Sequence, residues 1–272
     1  MRGTIDIDPF PIEVHGKQAG GAWHGHYHKT MYYPMVASFS AEGSYESSRL
    51  GEGFIHALLR RGNAAGAEGM ARFTREAIRK GRALATHLDA RIDAGLVEGQ
   101  VLDTLDNEAV RFVGRIKNNA RLDKLAAPYL SRNPGRPTKE GGTFEDRLGE
   151  FNAVIGNGLS AASFEANEAS LPLKLLAYNL AGMLRGKLED DSGTGWDLKR
   201  VQRTVLKAGA RVARHSQRIF VDVAQAAGVL WGRLLERIAR WWRDEAWGRR
   251  GPRWRRWVAP PAHAHLCLVL RE

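Results

Sequence analysis

Apolar and polar positions alternate at the start of the chain. Thr4-Ile5-Asp6-Ile7-Asp8 places Ile5 and Ile7 on one face and stops at Pro9, the two-residue period of a half-buried strand. Lys29 to Ser40 (KTMYYPMVASFS) is aromatic and β-branched enough for a second strand, Glu42-Gly43 supplies turn chemistry, and Tyr45 to Leu50 is suited to return antiparallel. From Ala67 to Ala85 the period becomes helical. Met70, Phe73, Ala77, Ile78 and Leu84 fall near one face, with Arg72, Arg75, Arg79 and Lys80 toward water. Alternation resumes over Thr86–Ala94, a short helix is expected over Val97–Val110, and Arg111–Lys117 reads as a further strand. That strand–helix–strand run predicts parallel pairing through a right-handed crossover.

The second half reads as helical. A helix opened by Thr143 carries Phe144, Leu148, Phe151 and Ile155 on one stripe, and Leu173, Leu176, Ala177, Leu180 and Leu184 form another. From Val223 to Trp247 an apolar seam of Ala227, Leu230, Leu234, Ile238 and Trp241 runs beside Arg233, Arg237, Arg240 and Arg243. Between the halves, Pro128–Gly142 has the Pro, Gly and basic content of a linker, and the residues after Trp247 follow neither period. The expected class is α/β: a mixed sheet with flanking helices and an appended C-terminal helical part. Its expected divisions are residues 1–127, a linker at 128–142, a helical part at 143–247, and a disordered basic tail at 248–272.

Composition narrows the possible roles. With 272 residues and 43% hydrophobic content the chain can bury a core, so disorder throughout is excluded. One cysteine, Cys267, excludes an internal disulfide framework and fits a reducing cytoplasm. No apolar run has the length of a membrane span. A net charge of +11 and a pI near 10.1 make nucleic acid the first candidate partner, with an anionic membrane surface as the competitor.

Candidate chemistry centres on carboxylates. Asp8 ends the first strand and Asp93 ends the strand after the helical crossover. If those strands are parallel neighbours, about 4.8 Å apart, the two acids converge at one end of the sheet. Glu145, on the first turn of a following helix, is a third candidate. Three acids at one point repel unless a divalent cation neutralises them, and Mg²⁺ favours such an oxygen-rich setting. By spacing alone, ordinary strand-end and helix-cap acids are the better reading.

Five segments change that weighting. TIDIDPFPIEVHGKQAGGAWHGHYHKTMYYPMVASFS (4–40), RLGEGF (49–54), RIDAGLVEG (91–99), RFVGRIKNNARLD (111–123) and GGTFEDRLGEFN (141–152), the last followed by LAYNL (176–180), occur in that order. Together they resemble insertion-sequence transposases of the DDE type, in the subclass whose glutamate helix bears a Tyr-Arg-Glu-Lys signature. The resemblance extends to about Trp242. It implies a ribonuclease-H-like core in which an acidic triad, here Asp8, Asp93 and Glu145, binds Mg²⁺ or Mn²⁺ and cuts and joins DNA. Asp6, on the same strand face, rivals Asp8 for the first position. The implied partners are double-stranded DNA, as element ends and target, and further copies of the chain assembled on it. The implied location is the cytoplasm, at the nucleoid, with no membrane partner.

The chain departs from the family's pattern. The signature Arg falls on Gly141, the Tyr on Thr138, and the Lys on Asn152, which keeps a hydrogen-bond donor for DNA without its charge. Relatives carry a long β-rich insertion where only the short linker stands. The expectation is an N-terminal truncation, an internal deletion near residues 138–142 and a shifted frame after Trp247. A non-catalytic DNA-binding remnant that interferes with an intact transposase is the alternative function.

Three further features carry weaker expectations. His24, His26 and His28 alternate and would share one strand face, the arrangement of a zinc site or of solvated loop histidines. Lys117, Asn118, Asn119 and Arg121 follow a strand end and suit phosphate contacts as well as they suit an ordinary polar loop. The Arg- and Trp-rich seam near Arg233–Arg243 is best read as a helix packed by its Trp side.

Overall fold

The computed structural model describes residues 1–41, 53–64, 69–114, 119–126, 144–156, 158–193, 195–215, 218–241 and 266–271. They fall into two compact units, the first running to Asn179 and the second beginning at Leu180.

The first unit is built on a five-stranded sheet. Its central strand β1 (Arg2–Pro9) buries Ile5 and Ile7 on one face. The small strands β2 (Ile12–Glu13), β3 (Ala22–His24) and β4 (Lys29–Tyr32) pair separately, in the order β2-β4-β3. The main sheet continues with β5 (Met35–Ala41), β6 (Gly53–Leu58), β7 (His87–Ile92) and β8 (Arg111–Gly114), in the order β6-β5-β1-β7-β8. Strands β6, β5 and β1 form an antiparallel meander, whereas β1, β7 and β8 run parallel. This is the mixed sheet with flanking helices that the sequence leads one to expect.

The expected second strand is in fact two. Lys29–Ser40 breaks at Tyr33-Pro34, because proline has no N–H to continue a ladder. The Pro34 carbonyl instead accepts from Phe10 N (3.1 Å), and Tyr33 N donates to the Arg60 carbonyl (3.1 Å). The expected return strand at Tyr45–Leu50 lies outside the described residues, and the described third strand starts at Gly53. Gly62, in the turn after β6, lies tight against the small sheet: a Cβ there would run into the carbonyl oxygens of Met31 and Ala22.

Two helices cover one face. Helix α1 (Met70–Arg82) buries Met70, Phe73, Ala77 and Ile78, and α2 (Gly99–Asn107) buries Val101 and Leu105. Both join a core that includes Ile5, Ile7, Leu88, Ala90 and Ile92. Burial of each of the larger side chains among them is worth about 1.5–3 kcal/mol. After a short helix α3 (Ala120–Ala126), helix α4 (Phe144–Phe151) covers the opposite face. There Phe151 is fully buried and packs edge-on to Phe10 (5.8 Å) and Phe54 (5.7 Å). The helix carrying Glu145 therefore belongs with the sheet rather than with the C-terminal part.

Helix α5 (Phe164–Ser192) corrects the expected leucine stripe. Leu171, Leu175 and Tyr178 face inward, whereas Leu173 is 65%, Leu176 52% and Leu180 52% exposed. Polar anchors set this rotation. Asn167 is buried, donates to the Tyr32 hydroxyl (3.1 Å) and the Ala161 carbonyl (3.1 Å), and accepts from Ala161 N (3.0 Å). Asn179 accepts from Phe54 N (3.0 Å) and donates to Phe54 O (2.8 Å), serving as a substitute strand partner. Gly53, beside it, sits at φ 149, where a side chain would be strained and would meet Asn179.

In the second unit, α6 (Leu198–Val201) and a π turn over Gln202–Leu206 lead into β9 (Ala210–His215) and β10 (Arg218–Val223). Helix α7 (Gln225–Trp241) follows, and β11 (Leu266–Arg271) completes an antiparallel sheet β11-β10-β9. Leu188, Trp196, Val201, Val205 and Leu234 form the core, with the Trp231 indole donating to the Val205 carbonyl (3.1 Å). Two expectations are corrected here. This part is not purely helical, and residues 266–271 form a strand where a disordered tail was expected.

Candidate active site

The site follows from strand register. Strands β1 and β7 pair in parallel up to the rung Ile7–Ile92, so the next residues, Asp8 and Asp93, stand level at the C-terminal ends of adjacent strands. Neighbouring strands lie about 4.8 Å apart, close enough for two carboxylates to share one cation. Asp8 is half-buried and Asp93 exposed. The Asp93 carbonyl accepts from Leu96 N (2.9 Å), closing the turn that leaves the strand.

Asp6 is differently engaged. Arg91 grips it bidentately, Nε to Oδ1 at 2.5 Å and Nη2 to Oδ2 at 2.8 Å. That hydrogen bonding raises the Arg91 pKa, against the opposing effect of burial. Asp6 and Asp8 share a strand face, but the arginine occupies both oxygens of Asp6. Sequence reasoning missed Arg91, although it stands two residues before Asp93 in RIDAG.

Glu145 is the second residue of α4; its carboxylate lies outside the described side chains. The helix itself is fixed on the Asp6–Asp8 face of the sheet. Arg147 Nη1 donates to Ser40 Oγ (3.0 Å), on the rung opposite Thr4, and Phe151 meets Phe10, two residues past Asp8. The helix thus advances toward the Asp8 end as it runs. Among the described residues no group of three His, Cys, Asp or Glu is arranged to hold a metal ion. The donors that are placed, two aspartates at adjacent strand ends, are hard oxygen ligands of the kind Mg²⁺ and Mn²⁺ prefer.

The other candidates are dispersed. Lys117 and Asn118 lie outside the described residues. The Asn119 side-chain oxygen accepts from Leu122 N (2.9 Å) and caps α3, while Arg121 is exposed on that helix. Asn152 is half-buried in the π turn Asn152–Gly156 that follows α4. The histidines do not share a strand face: residues 25–28 form the turn between β3 and β4, and His28 adopts φ 52. Their rings do not converge, with those of His24 and His26 6.5 Å apart.

Two surroundings shape the site electrically. On the sheet face above β7 and β8, an open trough of about 540 Å³ is lined by Thr4, Ser40, Asp89, Arg91, Arg111 and Val113. Arg111 is paired with Asp89 (2.9 and 2.8 Å). On the other side, burial, Tyr27 and the Asp8 carboxylate raise the pKa of the Tyr33 hydroxyl, and Arg60 partly offsets this.

A family model described as "Transposase DDE domain group 1" matches residues 2–154, more than half of the chain. Among curated protein sequences nothing matches. Two solved structures are similar at low identity. One is a piggyBac transposase synaptic complex with hairpin DNA, at 8% identity and a TM-score of 0.44, covering 86% of this chain and 54% of that one. The other is the catalytic domain of the Mos1 mariner transposase, at 12% identity and a TM-score of 0.27, covering 66% of this chain and 81% of that one. The chain thus spans about half the length of the piggyBac chain.

Proposed function

Because the chain belongs to the family of transposase DDE domains of group 1, we propose that it cleaves DNA at the ends of a mobile element and joins those ends to a target, through Asp8, Asp93 and Glu145. The observation that carries this reading is the level placement of Asp8 and Asp93 on parallel strands, with Asp6 committed to Arg91. It favours Asp8 over Asp6 as the first acid.

Each carboxylate has a defined task in this reading. Asp8 and Asp93 hold the divalent ion between the strand ends; Glu145 is the third acid that the family resemblance implies, on the first turn of α4, whereas it is the last turn of that helix that meets Phe10. When bound, Mg²⁺ or Mn²⁺ supplies activation of the attacking water or 3′-hydroxyl and stabilisation of the leaving oxygen. Arg91 keeps Asp6 from adding a competing charge. Lys117, Asn118, Asn119, Arg121 and Asn152 contact phosphates, and the basic chain gathers double-stranded DNA by long-range attraction. Assembly of several copies on paired ends and action at the nucleoid belong to the same proposal. No described helix is long and apolar enough to cross a membrane. Within the family we assign the chain to the subclass with the Tyr-Arg-Glu-Lys signature, its linker at 128–142 shortened by an internal deletion.

The test is nicking of supercoiled plasmid with Mg²⁺ or Mn²⁺, comparing the chain with Asp93→Ala. Metal-dependent nicking that disappears in the variant is the expected result. Salt-sensitive DNA binding without any nicking would instead identify a non-catalytic DNA-binding remnant.

A further inference from the structure

The β3–β4 hairpin exposes more aromatic surface than its packing uses. Trp23 is 59% and Tyr27 38% exposed. The rings form a connected row. His24 lies 4.7 Å from Tyr33 and 5.0 Å from Tyr27, His26 lies 5.0 Å from Tyr27, and Tyr27 lies 6.0 Å from Tyr33. The inner end of the row is firmly held. Tyr33 N donates to the Arg60 carbonyl, Arg60 Nε donates back to the Tyr33 carbonyl (3.1 Å), and the Arg60 guanidinium sits over the Tyr33 ring at 5.6 Å. The carbonyl of Pro34, the residue after Tyr33, accepts from Phe10 N (3.1 Å), two residues past Asp8. The row therefore begins beside the candidate cleavage site and ends in solvent.

A zinc site does not account for these residues. The ring of His24 already accepts from His26 N (3.3 Å), and the histidine rings stand at angles to one another rather than facing a common point. Neutral aromatic faces edged by a cation suit nucleic-acid bases, which stack on such rings regardless of sequence, with arginine adding a cation–π contribution. A base inside a duplex is covered on both faces by its neighbours, so a platform at the side of the DNA suits an unpaired base. The net charge of +11 favours a polyanionic strand over an uncharged ligand.

We propose that the β3–β4 hairpin is a base-stacking platform for single-stranded DNA next to the Asp8–Asp93 pair, with Tyr27, His24 and Tyr33 as its rings. The proposal rests on the transposase reading and adds where the strand beside the cut is held once it unpairs. Tyr27, exposed at the turn, is the ring whose removal least disturbs folding.

The experiment compares two labelled DNAs by fluorescence anisotropy, a blunt duplex and the same duplex with a short thymine tail, using the full chain, Tyr27→Ala and Tyr27→Phe. The chain is expected to prefer the tailed duplex. Tyr27→Ala loses that preference by roughly 5- to 150-fold, the worth of one stacked base, whereas Tyr27→Phe keeps it and blunt-duplex binding is unchanged in both. Equal affinity for the two DNAs, or an undiminished preference in Tyr27→Ala, overturns the platform and leaves the transposase reading standing. Binding of neither DNA overturns both.

Discussion

Removing Arg91 is predicted to cost more stability than neutralising its partner Asp6. The pair is lopsided, with 8% of the Asp6 side chain exposed against 59% for Arg91. Exposed ion pairs are worth about 0–1 kcal/mol, whereas breaking a fully buried one costs about 3–5 kcal/mol. With the carboxylate enclosed and the guanidinium half in water, Arg91→Ala strands a charge where solvent reaches poorly, at a cost of roughly 2 kcal/mol. Asp6→Asn leaves Arg91 free to rehydrate and keeps one hydrogen-bond acceptor, so it costs about 1 kcal/mol. Arg91→Lys keeps the charge but loses the two-pronged grip and falls between them. Urea unfolding of the three variants and the Asp6→Asn/Arg91→Ala double variant measures these values and their coupling. A cost for Arg91→Ala no larger than that for Asp6→Asn, or single effects that simply add, would refute the reasoning.

Two further predictions concern packing and acid response. Phe151→Ala empties a fully buried position against Phe10, Phe54 and Tyr178 and should cost about 3–5 kcal/mol, read by thermal or urea unfolding; a loss below roughly 1 kcal/mol would mean α4 does not seal that face. His56 stacks on Phe73 at 4.6 Å and meets Lys80 Nζ through Nδ1 (3.0 Å); burial first, then Lys80 and Arg79, lower its pKa to about 4, with Glu76 opposing. The unfolded chain, whose histidine titrates near 6.5, therefore binds more protons between these values, so stability falls as pH drops from about 6.5 toward 4. His56→Phe should flatten that part of the pH profile; an NMR midpoint at the ordinary histidine value would contradict it.

Strong local periods made much of the first unit legible. Ile5 and Ile7 alternate with aspartates, and the α1 residues recur with a helical period, so the first strand, the crossover helices and the parallel pairing of β7 and β8 could be read directly, but not the third strand of the meander at Gly53–Leu58. Errors arose where two local patterns competed. Aromatic residues on both sides of Pro34 read as one strand, although proline ends the ladder there. Helix α5 offers two apolar stripes of the same period, and the choice is made by Asn167 reaching Tyr32, 135 residues away in sequence. Strand β9 (ARVARH) is rich in arginine and lacks a clear apolar face, whereas β10 (RIFVDV) does alternate Ile219, Val221 and Val223, a signal overshadowed by the helical stripe that follows Val223. The candidate site shows the same division. Asp6 and Asp8 are equivalent by strand pattern, and the bidentate grip on Asp6 comes from Arg91, 85 residues away, which no local pattern announces.

The most direct test of the account is a titration with Mn²⁺, followed by its electron paramagnetic resonance signal, on the chain and on Asp8→Asn, Asp93→Asn and Asp6→Asn. Binding that is lost in Asp8→Asn and Asp93→Asn but retained in Asp6→Asn is the predicted result, since only the first two stand at the paired strand ends. Binding that survives both of those substitutions, or that disappears in Asp6→Asn while the chain stays folded, would contradict it.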